Sequence, residues 1–210
     1  MNDDPAVPEK STNQMKYETG NKVVRGLLDN FLQTLAEEVA RISPRRIVDL
    51  GCGEGIVAGY LKEKNLIRDY HGFDISEQAV KEAARIHPDL QFEVGDFTRM
   101  PPGTPGDLVI CLEVLEHLPD TQAALRSLRR WTTSRVIISV PWEPWFRLGN
   151  LARGKYLATL GNHPEHIQAF RPVTLRQAIG EVFDEPVVRT SFPWLFALAK
   201  TREPDAEPPA

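Results

Sequence analysis

Arg46-Ile-Val-Asp-Leu-Gly-Cys-Gly-Glu-Gly-Ile56 decides the fold. Its first part is a short, apolar-leaning run that reads as a buried strand, with Asp49 close to its end. Gly51, Gly53 and Gly55 follow, each separated by one residue. They read as a tight turn that lets the backbone approach a ligand closely. Ile56 to Lys64 reads as a helix whose N-terminal amides face that turn. Strand, glycine turn and helix in this order make a nucleotide-type cofactor site.

The flanking sequence repeats the strand–helix rhythm. Upstream, Val24, Leu27, Leu28, Phe31, Leu32, Leu35 and Val39 recur at helical spacing between Lys22 and Arg41. Asn21 is placed to cap this helix, and Ser43-Pro44 stops it. Downstream, Tyr70-His-Gly-Phe-Asp74 is a second short strand ending in an acid. Ser76 caps a helix that His87-Pro88 ends. Leu90-Gln-Phe-Glu-Val94 alternates as a third strand, and Pro101 to Gly106 is a loop. Asp107-Leu-Val-Ile-Cys-Leu112 is a buried strand, a helix spans about Thr121 to Trp131, and Arg135 to Val140 is the fifth strand. Thr174 is read as the cap of a further helix, with strands over Glu185 to Thr190 and Phe192 to Ala199. The alternation predicts an α/β fold: an open, doubly wound, Rossmann-like parallel sheet with helices on both faces.

Residues 15–200 are expected to form one domain, with a disordered tail over 1–14 and another over 201–210. The rhythm breaks at Pro141, and 141–170 is too long for a plain connection. It reads as a lid insertion of one or two short helices. Its Trp142, Trp145, Phe146 and Tyr156 supply flat apolar area suited to a small hydrophobic or aromatic ligand. Arg147, Arg153 and Lys155 are placed either to meet an anionic group on that ligand or to form the solvated side of the lid.

Composition narrows the class. The formal net charge is -4, which excludes a general attraction to nucleic acid or anionic membrane. Cys52 and Cys111 fall in buried-type segments, so a reducing compartment fits better than a disulfide framework. No apolar run reaches transmembrane length, and the polar, acidic N-terminus is unlike a secretory signal. The expectation is a cytoplasmic protein, monomer or homodimer, with a small-molecule substrate.

The glycine spacing differs from the dinucleotide fingerprint, in which the last two glycines are two residues apart. Asp49 and Glu54 also suit a ligand bearing an amine or sulfonium rather than a pyrophosphate. Asp74 ends the second strand, where a carboxylate accepts from a ribose diol or, more simply, caps a helix. Ile75 is positioned to cover an adenine face, and Asp96 to accept from its amino group with Phe97 alongside. A purely structural role for Asp96 is the alternative.

With these residues in place, the chain resembles the class I S-adenosylmethionine-dependent methyltransferases, nearest in motif style to the small-molecule methyltransferases of ubiquinone and menaquinone biosynthesis. The resemblance rests on Val48-Asp-Leu-Gly-Cys-Gly-Glu-Gly55, Gly72-Phe-Asp-Ile-Ser76, Gly95-Asp-Phe97 and Ile110-Cys-Leu-Glu-Val-Leu-Glu-His-Leu118, and more loosely on Glu165 to Leu175. It implies a seven-stranded sheet ordered 3-2-1-4-5-7-6 with the last strand antiparallel. It implies that S-adenosyl-L-methionine is the cofactor and S-adenosyl-L-homocysteine its product. The implied cofactor-binding set is Tyr17, Asp49, Gly51, Cys52, Gly53, Gly55, Asp74, Ile75, Asp96, Phe97 and Leu112. Lys16-Tyr17 resembles the segment that folds over the cofactor in many members.

Methyl transfer needs alignment of nucleophile, methyl and sulfur, and a hydroxyl nucleophile also needs its proton removed. His166, His163 and His117 are the candidate catalytic residues. Glu113-x-x-Glu116-His117 also resembles the metal-binding pattern of ubiquinone-biosynthesis O-methyltransferases and small-RNA 2'-O-methyltransferases. A divalent cation such as Mg, with His166 as a further ligand, is therefore an alternative, ranked behind a metal-free site. The leading expectation is methyl transfer to oxygen of a small hydrophobic or aromatic acceptor. The rival readings are an RNA 2'-O-methyltransferase and a non-catalytic cofactor-binding protein.

Overall fold

A computed structural model of the chain describes residues 21–145 and 167–202. Its strands are β1 (Arg46–Leu50), β2 (Asp69–Asp74), β3 (Gln91–Val94), β4 (Gly106–Leu112), β5 (Thr132–Pro141), β6 (Phe183–Ser191) and β7 (Trp194–Thr201). They form one 7-stranded sheet in the order β3-β2-β1-β4-β5-β7-β6. β1 to β5 pair in parallel, and β7 runs antiparallel to both β5 and β6. This is the topology the family resemblance implies.

Period-two alternation explains how the central strands feed two cores. On β4, Leu108, Ile110 and Leu112 face one side, while Val109 and Cys111 face the other. The first side is covered by α1 (Lys22–Ile42), through Phe31, Leu32, Leu35 and Val39, and by α2 (Ile56–Glu63), through Ala58 and Leu61. The α3 helix (Glu77–Ile86) lies beside α2, with Ala83 next to Gly55. The opposite side is covered by α4 (Thr121–Trp131), through Leu125, Leu128 and Trp131, and by α5 (Pro172–Gly180), through Leu175 and Ile179. Strands buried on both faces need apolar residues at every position, which is why β1, β4 and β5 read as near-continuous apolar runs. Each fully buried large side chain contributes about 1.5–3 kcal/mol by leaving water.

The capping residues act as their sequence positions predict. The Asn21 and Ser76 side chains accept from Val23 N–H at 3.0 Å and from Ala79 N–H at 3.2 Å. One assignment is corrected. Thr174 is not the cap of α5, because the helix begins at Pro172, where a missing N–H costs nothing. Thr174 sits two residues inside, and its hydroxyl accepts from Arg171 N–H at 3.0 Å. The fifth strand also starts earlier than read, at Thr132, directly after α4. Both cysteines are buried and free. No helix among the described residues is long and apolar enough to cross a membrane. Most of the predicted lid (146–166) and most of the two predicted tails lie outside the described residues.

Candidate functional site

The site is built where β1, β2, β3 and β4 end, on the edge where open parallel sheets gather their loops. The turn after β1 is stitched to β2: the N–H groups of Gly51 and Cys52 both donate to the Phe73 carbonyl, at 2.7 and 3.0 Å. Gly51, Gly53 and Gly55 all have positive φ, at 94°, 52° and 78°. At Gly51 a side chain is doubly excluded, because a Cβ there would also overlap the Val114 side chain. Gly51→Ala is therefore expected to destabilise the fold by about 2–4 kcal/mol, combining left-handed strain with overpacking. Denaturant unfolding measures this, and a wild-type midpoint would mean that the turn reshapes freely.

Asp74 joins this turn to the start of α3. Its Oδ2 accepts from Gly53 N–H at 2.8 Å and its Oδ1 from Ser76 N–H at 2.9 Å. The carboxylate is half-buried, and each oxygen keeps a second lone pair for a ligand. Next to it, Ile75 is 75% exposed and offers an uncovered aliphatic surface. Asp96 is more occupied. Its Oδ1 accepts from the Thr98 N–H at 2.9 Å and hydroxyl at 2.6 Å, and its Oδ2 lies 3.3 Å from Arg99 Nε. Phe97 does not lie open beside it but is buried in the α4-side core. Leu112 is buried at the end of β4.

Asp49 is 2% exposed and shares the α1–α2 face of the sheet with Ile47. The Tyr70 hydroxyl donates to its Oδ2 at 2.6 Å. Burial pushes the Asp49 carboxyl from 3.8 up to about 7; the Tyr70 bond opposes that rise, and the nearby Asp74 adds to it. Burial, and then the acids around it, hold the Cys52 thiol far above the usual range, so it is no thiolate nucleophile at neutral pH.

The Glu113-x-x-Glu116-His117 stretch does not form a helical turn that gathers its acids. Only Leu115–His117 is helical, as a 3-10 turn. Glu113 has a φ of 58°. Its Oε1 accepts from the Ser139 hydroxyl at 2.9 Å and its Oε2 from the Trp194 indole at 2.7 Å. Trp194 in turn packs edge-on against Phe31 of α1. Glu116 is buried, and His117 Nε2 lies 3.9 Å from its Oε1. Among the described residues, no three His, Cys, Asp or Glu side chains cluster to hold a metal ion. Tyr17, His163 and His166 lie outside the described residues.

Beyond β5 the same edge carries aromatic rings. Trp142, Trp145 and Phe192 stand edge-to-face, with centroids 6.2–6.4 Å apart, and Trp145 and Phe192 are each close to half exposed. Sequence reasoning passed over Tyr70, Val114, Phe192 and Trp194. Tyr70 was open to discovery: it pairs in register with Ile47, two positions before Asp49, so parallel pairing puts both on one face.

This geometry has counterparts. A family model described as "Methyltransferase domain" matches residues 21–182, well over half of the chain. The chain is similar to the ubiquinone biosynthesis O-methyltransferase of Paracidovorax citrulli, at 30% identity over 44% of this chain and 41% of that one. It is also similar to the trans-aconitate 2-methyltransferase of Methylobacterium nodulans, at 34% identity over 49% of this chain and 41% of that one. It thus spans under half the length of these curated relatives. Its fold is similar to that of magnesium protoporphyrin IX methyltransferase from Synechocystis PCC 6803, solved with bound SAH. That match has a TM-score of 0.66 at 21% identity and covers 90% of this chain and 92% of that one. A strand, glycine turn and helix on a sheet of this order, matched by the family model across most of its length, place the chain in the methyltransferase domain family.

Proposed function

We propose that this domain takes a methyl group from S-adenosylmethionine and delivers it to a hydroxyl oxygen of a small hydrophobic or aromatic acceptor. One observation carries the reading: a glycine turn tied to the half-buried Asp74 carboxylate shares a sheet edge with the exposed Trp145 and Phe192 rings, backed by the partly buried Trp142. The similarity to a ubiquinone biosynthesis O-methyltransferase supports an oxygen acceptor. The cofactor, when bound, supplies a methyl made electrophilic by its sulfonium sulfur. The residues fit it: Gly51 and Gly53 leave the backbone uncovered, Asp74 accepts from the ribose diol, Ile75 covers the base, and Asp49 faces the amine. Tyr17, Cys52, Gly55, Asp96 and Leu112 complete the proposed set, whereas Phe97 packs in the core behind Asp96. His166, His163 and His117 are the proposed proton acceptors for the hydroxyl. A metal-free route ranks first because the Glu113 side chain is engaged by Ser139 and Trp194, and it does not cluster with other acids or imidazoles among the described residues.

The test is mass spectrometry with labelled cofactor against phenols, catechols, small hydrophobic acids and short RNA, with and without chelator. A methylated phenol formed equally in chelator supports the reading. Turnover of RNA alone, or of none of them, overturns it, and chelator-sensitive turnover restores the metal. Trp145→Ala is expected to raise the acceptor KM about tenfold, because about half a ring of apolar contact is lost, while cofactor Kd stays unchanged. The reverse pattern would place the acceptor elsewhere.

A further inference from the structure

We propose that Tyr70 is a positioning residue for the cofactor: its hydroxyl aims the Asp49 carboxylate and favours its ionised form, so that binding of the cofactor's amino-acid end follows deprotonation of Asp49. The inference rests on the reading above that the site takes S-adenosylmethionine.

The argument starts from isolation. Asp49 and Tyr70 are both 2% exposed, and their bond, at 2.6 Å, is short. The ionisable groups facing Asp49 are Tyr70 and Asp74 of β2 and Cys52 of the turn with Glu54 close by, while Cys111 of β4 lies on the opposite face of the sheet. All are acids, thiols or the phenol, and none is cationic. On this face α1 and α2 contribute the apolar Leu32, Leu35, Ala58 and Leu61. The one charged residue of α1 that is buried, Glu38, is paired with Arg41 and Arg189. A buried carboxylate without a cation is costly to ionise. Among the described residues, the Tyr70 O–H is the one side-chain donor on it.

Local geometry keeps that donor in place. Asp49 pairs with Gly72, and Ile47 pairs with Tyr70. A Cβ at Gly72 would come within 2.9 Å of Cys52 Sγ and Phe92 Cδ1. A bare glycine opposite Asp49 therefore lets Cys52 and Phe92 close over the pair. Phe92 also stands edge-on to the Tyr70 ring, with centroids 5.7 Å apart. The phenol is held from its side and presents its hydroxyl to one oxygen of Asp49. The other oxygen is then left for an ammonium group, which supplies the missing cation.

Titration calorimetry from about pH 5.5 to about 8.5 tests this with two ligands. S-adenosylhomocysteine carries the amine, and methylthioadenosine lacks the amino-acid end. In the wild type, S-adenosylhomocysteine is expected to bind more weakly as pH falls below about 7, while methylthioadenosine shows no such fall. Tyr70→Phe keeps the ring contact and removes the donor. It is expected to move the midpoint up by about one pH unit, making binding about fivefold weaker at pH 7, with methylthioadenosine unaffected. A merely structural role would weaken both ligands alike at every pH. An unmoved midpoint in Tyr70→Phe overturns the proposal. If Tyr70→Phe does not fold, Asp49→Asn decides: loss of the pH dependence supports the proposal, and its persistence overturns it. Absence of S-adenosylhomocysteine binding to wild type at any pH would instead overturn the cofactor reading.

Discussion

Asp74→Ala is expected to weaken S-adenosylhomocysteine binding by about 10²- to 10³-fold. Two losses add up. On the ligand side, two ribose hydroxyls would enter a half-buried site with no acceptor, and a hydrogen bond to a charged group is worth about 1.5–3 kcal/mol. On the protein side, the N–H groups of Gly53 and Ser76 lose the carboxylate that joins the glycine turn to the start of α3. The turn then loses its preorganisation, and part of the binding free energy goes into ordering it. Calorimetry at pH 8 measures the effect, with Asp74→Asn as a control that keeps one acceptor oxygen. Wild-type affinity in Asp74→Ala would remove Asp74 from the ribose assignment.

The second large effect is at Asp49. Asp49→Asn is expected to stabilise the ligand-free chain above pH 7 by about 2–4 kcal/mol and to weaken cofactor binding there. The folded carboxyl keeps its proton up to about 7, whereas an aspartate in water ordinarily loses it near 3.8. Between those values the folded state holds a proton that the unfolded chain has lost. Wild-type stability therefore falls as pH rises through that window, and it stays reduced above it. Asparagine carries no charge to bury, and its side-chain oxygen still accepts from the Tyr70 hydroxyl. Urea unfolding at pH 5 and pH 8 reads this directly: the gain of the variant should be large at pH 8 and small at pH 5. Equal gains at both would mean that Asp49 is not a buried titrating group.

The legible and illegible parts of this protein divide along contact range. The order of elements was readable because each carries its own local signal. Alternation marks β3, helical spacing marks α1, and Asn21 and Ser76 announce their helices. Thr174 misled because capping boxes place a hydroxyl at either end of the first turn, and only the position of Pro172 distinguishes them. The Glu113-x-x-Glu116 spacing is ambiguous for a different reason. It promises two acids on one turn only if the backbone is regular there. The left-handed conformation of Glu113 turns that side chain to Ser139 and Trp194 instead.

The fold class, the site edge and the candidate acids Asp49, Asp74 and Asp96 are legible in the residue order alone. Strand patterning, a glycine turn and strand-end carboxylates are properties of a few consecutive residues. What each acid meets depends on the packed fold: Asp74 the turn amides, Asp96 its own loop, Asp49 the Tyr70 hydroxyl. Those partners are set by the register of neighbouring strands and by which face a core closes over. Burial of that kind, which moves Asp49 to about 7, exists only once distant segments have packed together.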